Sequence, residues 1–139
     1  MYLQENEITT KKIVEIFTGA FMEVSDIEEN RLTVKGVDFP FPLRISLDAE
    51  RKAIRFADFN RLHRIAEREA ALICNEINKS IILARFYAMT ANDMVLSVCE
   101  YDMTFERGVI PYHVMANFRL FEKIAGHAVR NHFMNYLKP

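Results

Sequence analysis

A chain of 139 residues, half of them hydrophobic, can bury one core and lies far from the composition of disordered proteins. Its formal net charge of −1 gives no general attraction to nucleic acid or to an anionic membrane, so neither partner is expected. No apolar run approaches the roughly 20 residues that span a bilayer, and the N-terminus lacks the pattern of a signal peptide. We therefore expect one cytoplasmic domain over residues 1–139, in which Cys74 and Cys99 are buried thiols.

The N-terminal part of the chain predicts a helix followed by an acidic loop. Apolar residues between positions 9 and 22 recur at the spacing of one helical face, and Thr9 can cap the helix start. Residues 23–29 contain four acids and no base. We interpret this stretch as a solvated loop. The alternative interpretation is a docking site for a basic partner.

Three short strands are predicted next. Residues 31–36, 43–48 and 53–59 alternate apolar and polar side chains, which is the period of a strand with one buried face. The run Phe39-Pro40-Phe41-Pro42 is a connection or an edge, because proline cannot donate to a sheet hydrogen bond. The short polar links between the three runs indicate an antiparallel meander.

A central helix is predicted from Arg61 to Lys79, with Asn60 as its N-cap. Five apolar residues share its main side: Leu62, Ala66, Ala70, Ile73 and Ile77. Ile65 and Leu72 form a second apolar line, which is one candidate surface for a partner. The opposite side carries Arg61, Arg64 and Arg68, interpreted as a solvated face because no aromatic residues interleave with these bases.

Two carboxylates provide the alternative, enzymatic hypothesis. Glu69 and Glu76 lie between the two apolar lines of the predicted helix, about one heptad apart, where they could act as a general acid and base. No histidine, lysine or metal pattern completes such a site. The two hypotheses differ in burial, because an acid–base pair requires both carboxylates to converge in a cleft between helix and sheet.

The C-terminal half predicts a hairpin and a long helix. Strands are expected from Ile81 to Met89 and from Met94 to Met103, and a link of four residues allows only antiparallel pairing. The last helix runs from Pro111 to about Leu137. Seven residues form its main apolar stripe: Val114, Phe118, Phe121, Ala125, Ala128, Val129 and Tyr136.

The length of this last helix predicts a homodimer. Leu120 and Ile124 lie off the main stripe, and the helix would span about 40 Å, more than a strand of nine residues. Met115 and Phe133 share a flank of the helix and are expected to join the contact. The line of Ile65 and Leu72 on the central helix is the competing interface.

No cofactor or metal signature is visible in the sequence. The four glycines do not cluster into a phosphate-binding loop, and His113, His127 and His132 are spaced too irregularly to share one metal. His132 is placed on the apolar stripe, and Cys74 is interpreted as a structural thiol rather than a nucleophile. We therefore expect no catalytic residue, no cofactor and no metal.

The order helix, three strands, helix, two strands, helix resembles the type III secretion chaperone-like fold, an α+β class. Within it, the stretch from Cys74 to Lys79 before a strand, with Asn75 and Asn78 as an Asn-x-x-Asn helix end, resembles the YbjN family. Members of that family are provisionally described as bacterial sensory transduction regulators. The chain departs from that fold at one point. Many secretion chaperones dimerise through their central helix, whereas the central helix predicted here carries a basic stripe.

The resemblance implies a non-enzymatic regulator, adaptor or chaperone-like protein that binds a protein or peptide segment. It carries over no catalytic residue. The candidate partner-binding residues are Leu120, Ile124, Ile65 and Leu72.

Overall fold

The computed structural model describes residues 1–37 and 41–139, so the prediction for Phe39 and Pro40 lies outside the described residues. Within these residues, three α-helices and six strands follow one another as α1 Thr10–Gly19, β1 Glu23–Ser25, β2 Arg31–Lys35, β3 Leu43–Asp48, β4 Ala53–Leu62, α2 Glu67–Ser80, β5 Arg85–Ala91, β6 Met94–Thr104 and α3 Pro111–Ala128. The six strands form one antiparallel sheet in the order β1-β2-β3-β4-β6-β5. The predicted α+β class is confirmed.

The described residues group into two compact units. The first unit contains Met1–Phe56 and Asp102–Lys123, and the second contains Ala57–Tyr101 and Ile124–Pro139. Strands β4 and β6 and helix α3 contribute residues to both units. The single domain expected from the chain length stays a prediction.

Helix α1 of the first unit begins where the sequence predicted it. The hydroxyl of Thr9 accepts a hydrogen bond from the Lys12 backbone N–H at 3.1 Å, which satisfies one orphan donor of the first turn. The buried face of α1 includes Phe17, whose ring meets Phe118 of α3 edge to face at a centroid distance of 5.0 Å. Phe118 also contacts Phe56 of β4 at a centroid distance of 5.8 Å, and Phe121 lies 6.0 Å from Phe56, so these four aromatic rings pack together in the core of this unit.

The predicted meander is present and has one additional strand. In β2 and β3 the buried residues Leu32 and Ile45 pair directly, as their alternation with polar neighbours requires. The short strand β1 pairs with β2 through Val24 and Val34, although residues 23–29 were expected to be a loop throughout. A strand of three residues has too few periods for its alternation to be recognised among acidic residues.

The prediction that the central helix begins at Arg61 with Asn60 as its cap is wrong. Strand β4 continues to Leu62, and α2 begins only at Glu67. Asp58, Asn60 and Leu62 are buried on the face that Ile54 and Phe56 begin, so the two-residue period persists. Polar side chains at two of these inward positions concealed that alternation. Arg61, Arg64 and Ile65 therefore do not belong to α2.

The first strand of the predicted hairpin, β5, also begins later than expected. The apolar residues Ile82 and Leu83 are 96% and 52% exposed and precede β5. They therefore do not form the middle of a covered sheet. Beyond them, β5 and β6 pair antiparallel, as predicted, around a two-residue turn in which Asn92 and Asp93 both have positive φ.

The last helix is interrupted near its C-terminal end. Helix α3 ends at Ala128 and passes into the π-helical turn Val129–Phe133 and a 3-10 turn. One extra residue per turn shifts the helical phase, so His132 is exposed whereas Phe133 is buried. The prediction of one α-helix to Leu137, with His132 on its apolar stripe, is therefore wrong.

Asn78, near the end of α2, clamps the backbone of β5. Its side-chain amide donates to the Phe86 carbonyl oxygen at 2.8 Å and accepts from the Phe86 N–H at 2.9 Å. This pair of bonds imitates the pairing of a neighbouring strand at β5, which is the last strand of the sheet order. The Asn-x-x-Asn pattern thus has a structural role at Asn78.

We expect Asn78→Ala to lower the free energy of unfolding by about 1–3 kcal/mol, because both partly buried groups of Phe86 lose their partner. Asn75→Ala is the matched control, since Asn75 is exposed and its replacement should change stability by less than about 0.5 kcal/mol. Urea denaturation of the three proteins measures the difference. Equal stabilities for the two variants would contradict the clamp.

Candidate functional site

The predicted partner-binding residues differ in accessibility. Leu72 on α2 is 58% exposed and Leu120 on α3 is 40% exposed, whereas Ile65 and Ile124 are half-buried. Leu120 belongs to the first unit and the other three residues to the second. Met115 and Phe133, expected to extend the contact around Leu120, are buried core residues and cannot do so.

The two candidate catalytic carboxylates do not share a cleft. Glu69 and Glu76 are both exposed on α2, and Glu76 forms an ion pair with Lys79 at 2.7 Å. The arrangement that the enzyme hypothesis required, two carboxylates converging out of solvent, is therefore not formed by these residues.

Both cysteines are buried and unpaired, as the composition predicted. Burial raises the pKa of the Cys74 thiol to about 11 and also raises the pKa of Cys99, so neither is a ready nucleophile at neutral pH. Across residues 1–37 and 41–139, no three His, Cys, Asp or Glu side chains are grouped so that they could hold a metal ion. Within the same residues, no helix combines the length and apolarity needed to cross a membrane.

An apolar groove lies in the first unit, lined by α1 and the start of α3, and we name it the helix groove. It has a volume of about 370 Å³. Leu3 and Met115 are buried in its lining, whereas Met1 and Tyr112 are 90% and 73% exposed at it. Such a concave apolar surface with large accessible side chains is typical of a binding site rather than of a finished core.

The charged residues of the helix groove leave a net positive charge. Lys12 and Glu15 pair with each other at 3.1 Å, so their charges compensate. Arg119 lines the same groove and is exposed. An occupant with an apolar surface and a flanking acidic group would therefore complement this groove.

Phe21 follows α1 directly and adjoins Gly19 and Ala20, which line the groove. Its φ of 62° places it in the left-handed region, where a bulky residue is uncommon and glycine is favoured. Its side chain is 97% exposed. This conformation closes the end of α1, where the N–H groups of Phe21 and Met22 donate to the carbonyl oxygens of Thr18 and Phe17. The backbone therefore has a structural role, whereas the exposed ring is free to contact a partner. The sequence pattern did not reveal this residue as exposed, because its helical spacing is that of a core position.

A buried polar cluster occupies the second unit. Asp58 and Asn60 of β4 and Ser97 and Cys99 of β6 are all at least nine-tenths buried. The Asn60 amide donates to Asp58 Oδ2 at 2.6 Å, whereas Asp58 Oδ1 has no hydrogen-bond partner in the described part of the chain. Desolvation raises the pKa of Asp58 to about 6, and the hydrogen bond from Asn60 only partly opposes this.

The cluster borders the interrupted end of the last helix. A cavity of about 10 Å³, room for about one water molecule, is lined by Asp58 and by residues of the π-helical turn, including Val129 and Phe133. π-helical turns are rare and often mark functional positions. The alternation of β4 was the signal that could have revealed Asp58 in the sequence.

Comparison with known proteins identifies the fold. Neither protein-family models nor curated protein sequences give a match. Among solved structures, the crystal structure of YbjN from E. coli, provisionally described as a transcription regulator, matches with a TM-score of 0.80 and 16% identity over 99% of each chain. The chain has the YbjN-like fold.

The YbjN-like fold confirms the resemblance inferred from the element order and from Asn75 and Asn78. At 16% identity the likeness concerns the fold alone. The further resemblance to type III secretion chaperones stays a prediction.

Within this YbjN-like fold, Asp58 predicts an unusual dependence of stability on pH. Its pKa is raised from 3.8 to about 6 in the folded state, so its ionisation opposes folding fully above pH 6. That opposition fades as the pH falls from about 6 towards 3.8, because the folded state already holds the proton and the unfolded state comes to bind it as well. At about 1.4 kcal/mol per pKa unit, the penalty at pH 8 is about 3 kcal/mol.

Asp58→Asn should therefore stabilise the protein relative to wild type at pH 8 and much less at pH 4. Urea denaturation of both proteins at the two pH values gives the difference in free energy of unfolding between variant and wild type. The contributions of the other titrating groups cancel in this difference, because both proteins contain them. A difference in unfolding free energy that does not change with pH would contradict the raised pKa.

Proposed function

We propose that this protein is a non-enzymatic cytoplasmic regulator that binds a short apolar segment of another protein in the helix groove. The exposed apolar residues at this groove, Met1 and Tyr112, together with Phe21 beside it, carry the proposal. Such residues cost solubility in an unbound protein and contribute binding energy when a partner covers them. The assignment of the structural neighbour YbjN as a regulator supports the regulatory role.

The partner proposed here is a protein segment rather than nucleic acid or a membrane. The exposed face of the groove is largely apolar, and Arg119 adds a positive charge that the pair of Lys12 and Glu15 does not compensate. A protein surface that binds nucleic acid needs several basic side chains to contact successive phosphates, and the whole chain carries a net charge of −1. Two unpaired cysteine thiols are in keeping with a reducing compartment.

Photo-crosslinking tests the groove directly. A benzoylphenylalanine at position 112 should form a discrete adduct with a cellular protein, and Ile16→Glu in the same chain should abolish it by placing a charge in the groove. The matched control carries the crosslinker at Lys79, which is 71% exposed in the second unit. Failure to obtain an adduct at position 112, or equal adducts at both positions, would refute the proposed function.

Phe21→Gly should separate stability from binding. Glycine adopts a positive φ without the roughly 1 kcal/mol strain of a side chain, so the free energy of unfolding should stay equal or rise slightly. The crosslinked adduct at position 112 should decrease, because the exposed ring is lost. Phe21→Asn controls for the added backbone freedom of glycine, since asparagine also tolerates this conformation. A marked loss of stability in both variants would show that Phe21 packs within the chain.

We also propose a homodimer, through Leu120 on α3 or, alternatively, through Leu72 on α2. Burial of each such side chain contributes about 1.5–3 kcal/mol, whereas association costs several kcal/mol, so neighbouring residues must share the contact. Light scattering at high micromolar concentration should show a dimer for wild type and a monomer for Leu120→Glu. A dimer that persists in Leu120→Glu but not in Leu72→Glu assigns the interface to α2, and a monomeric wild type excludes dimerisation.

A further inference from the structure

A second cavity of the first unit lies beside the N-terminal segment, Met1–Ile8. It has a volume of about 800 Å³, and we name it the N-terminal cleft. Side chains of the segment line it together with Lys52, which follows β3, and Arg107, which follows β6. Phe105 and Ile8 are buried and provide an apolar surface within the cleft.

The wall of the N-terminal cleft already holds one carboxylate. Glu5 forms an ion pair with Lys52 at 2.7 Å and accepts a hydrogen bond from the Arg107 backbone N–H. The hydrogen bond from Lys52 lowers the pKa of Glu5, followed in effect by the bond from Arg107. The surroundings of this position therefore favour a negatively charged oxygen.

One guanidinium remains beside this ion pair. Arg107 is exposed, and its side chain forms no hydrogen bond or ion pair with any residue in 1–37 or 41–139, although its charge contributes to the lowered pKa of Glu5. The exposed side-chain amides of Gln4 and Asn6 line the same cleft and likewise have no hydrogen-bond partner in those ranges. A planar guanidinium and two amides supply donors suited to a carboxylate or phosphate.

Both basic residues of the cleft have strained backbones. Lys52 has a φ of 54° and Arg107 a φ of 68°, in turns where glycine would fold with less strain. Glycine does occupy the next position, Gly108, where φ is 97°. These two turns determine where the backbones of Lys52 and Arg107 lie at the cleft.

We propose that the N-terminal cleft binds the oxyanion group, carboxylate or phosphate, of a small molecule that also has an apolar part. Arg107 donates to the oxyanion, the amides of Gln4 and Asn6 add hydrogen bonds, and Phe105 and Ile8 contact the apolar part. The proposal does not depend on the helix groove binding a protein.

Nuclear magnetic resonance titration of the full chain tests this site, with benzoate and phenyl phosphate as probes and benzyl alcohol as the neutral comparison. We expect either anion, but not the alcohol, to shift the side-chain amide signals of Gln4 and Asn6 in a saturable manner. The anion that binds more tightly identifies carboxylate or phosphate as the natural group. Absence of saturation with both anions, or equal binding of the alcohol, would overturn the proposal.

Variants locate the charge that is responsible. Arg107→Gln should weaken binding of the preferred anion at least tenfold, and Arg107→Lys should recover part of that loss. Arg107→Gly fits the left-handed backbone and tests the same loss of charge if the glutamine variant folds poorly. The matched control, Arg51→Gln, removes one charge from a nearby turn outside the cleft and should bind like wild type. Equal weakening in the Arg51 and Arg107 variants would reduce the effect to general charge and contradict the site.

Discussion

The two-residue period of strand β4 is the constraint on which much of this chain depends. Each second side chain of Ala53–Leu62 must point inward once Ile54 and Phe56 do so, whatever its chemistry. Asp58 and Asn60 are thereby buried, although both residue types prefer water. The continued strand also delays α2 to Glu67, so residues that resemble a helix start become the end of a strand. The energetic cost of this geometry is concentrated in one carboxylate with a raised pKa.

Local signals in the sequence were sufficient where neighbouring residues decide the structure. Thr9 caps α1 through a hydroxyl three residues from its donor, and the turn at Asn92 follows from residues that tolerate positive φ. These local signals failed where packing between residues distant in sequence decides the structure. Asn60 is an excellent cap residue in isolation, yet the sheet period prevailed, and the apolar Ile82 is almost fully exposed. The phase of the last helix beyond Ala128 depends on a π-helical turn that has no signature in composition.

The Asn-x-x-Asn pattern, on which the resemblance to the YbjN family rests, has a physical explanation in the structure at Asn78. Asn78 satisfies both backbone groups of Phe86, whereas Asn75 is exposed. The unpaired N–H and C=O groups of an edge strand can pair with a strand of another chain. A side-chain amide that hydrogen-bonds to those groups prevents such pairing at that position. The family-like motif therefore reports on how the sheet ends, and it identified the fold without identifying a binding site. The residues that do suggest binding, such as Phe21 and Tyr112, lie in the other unit.

The N-terminal segment connects the two proposed sites of the first unit. Met1 and Leu3 line the helix groove, while Tyr2 and Gln4 line the N-terminal cleft, as alternating side chains of an extended chain do. Leu3 is held by a β-bridge to Val109 with two hydrogen bonds of 2.8 Å.

A glycine next to this bridge makes it possible. A Cβ at Gly108 would lie 2.4 Å from the Leu3 carbonyl oxygen, so the segment can approach only because no side chain is there. The buried side chains of Leu3 and Ile8 and the contacts of Glu5 hold the segment in addition to this bridge. The bridge therefore fixes Met1 and Leu3 on the groove side, and Tyr2 and Gln4 on the cleft side, of one short segment.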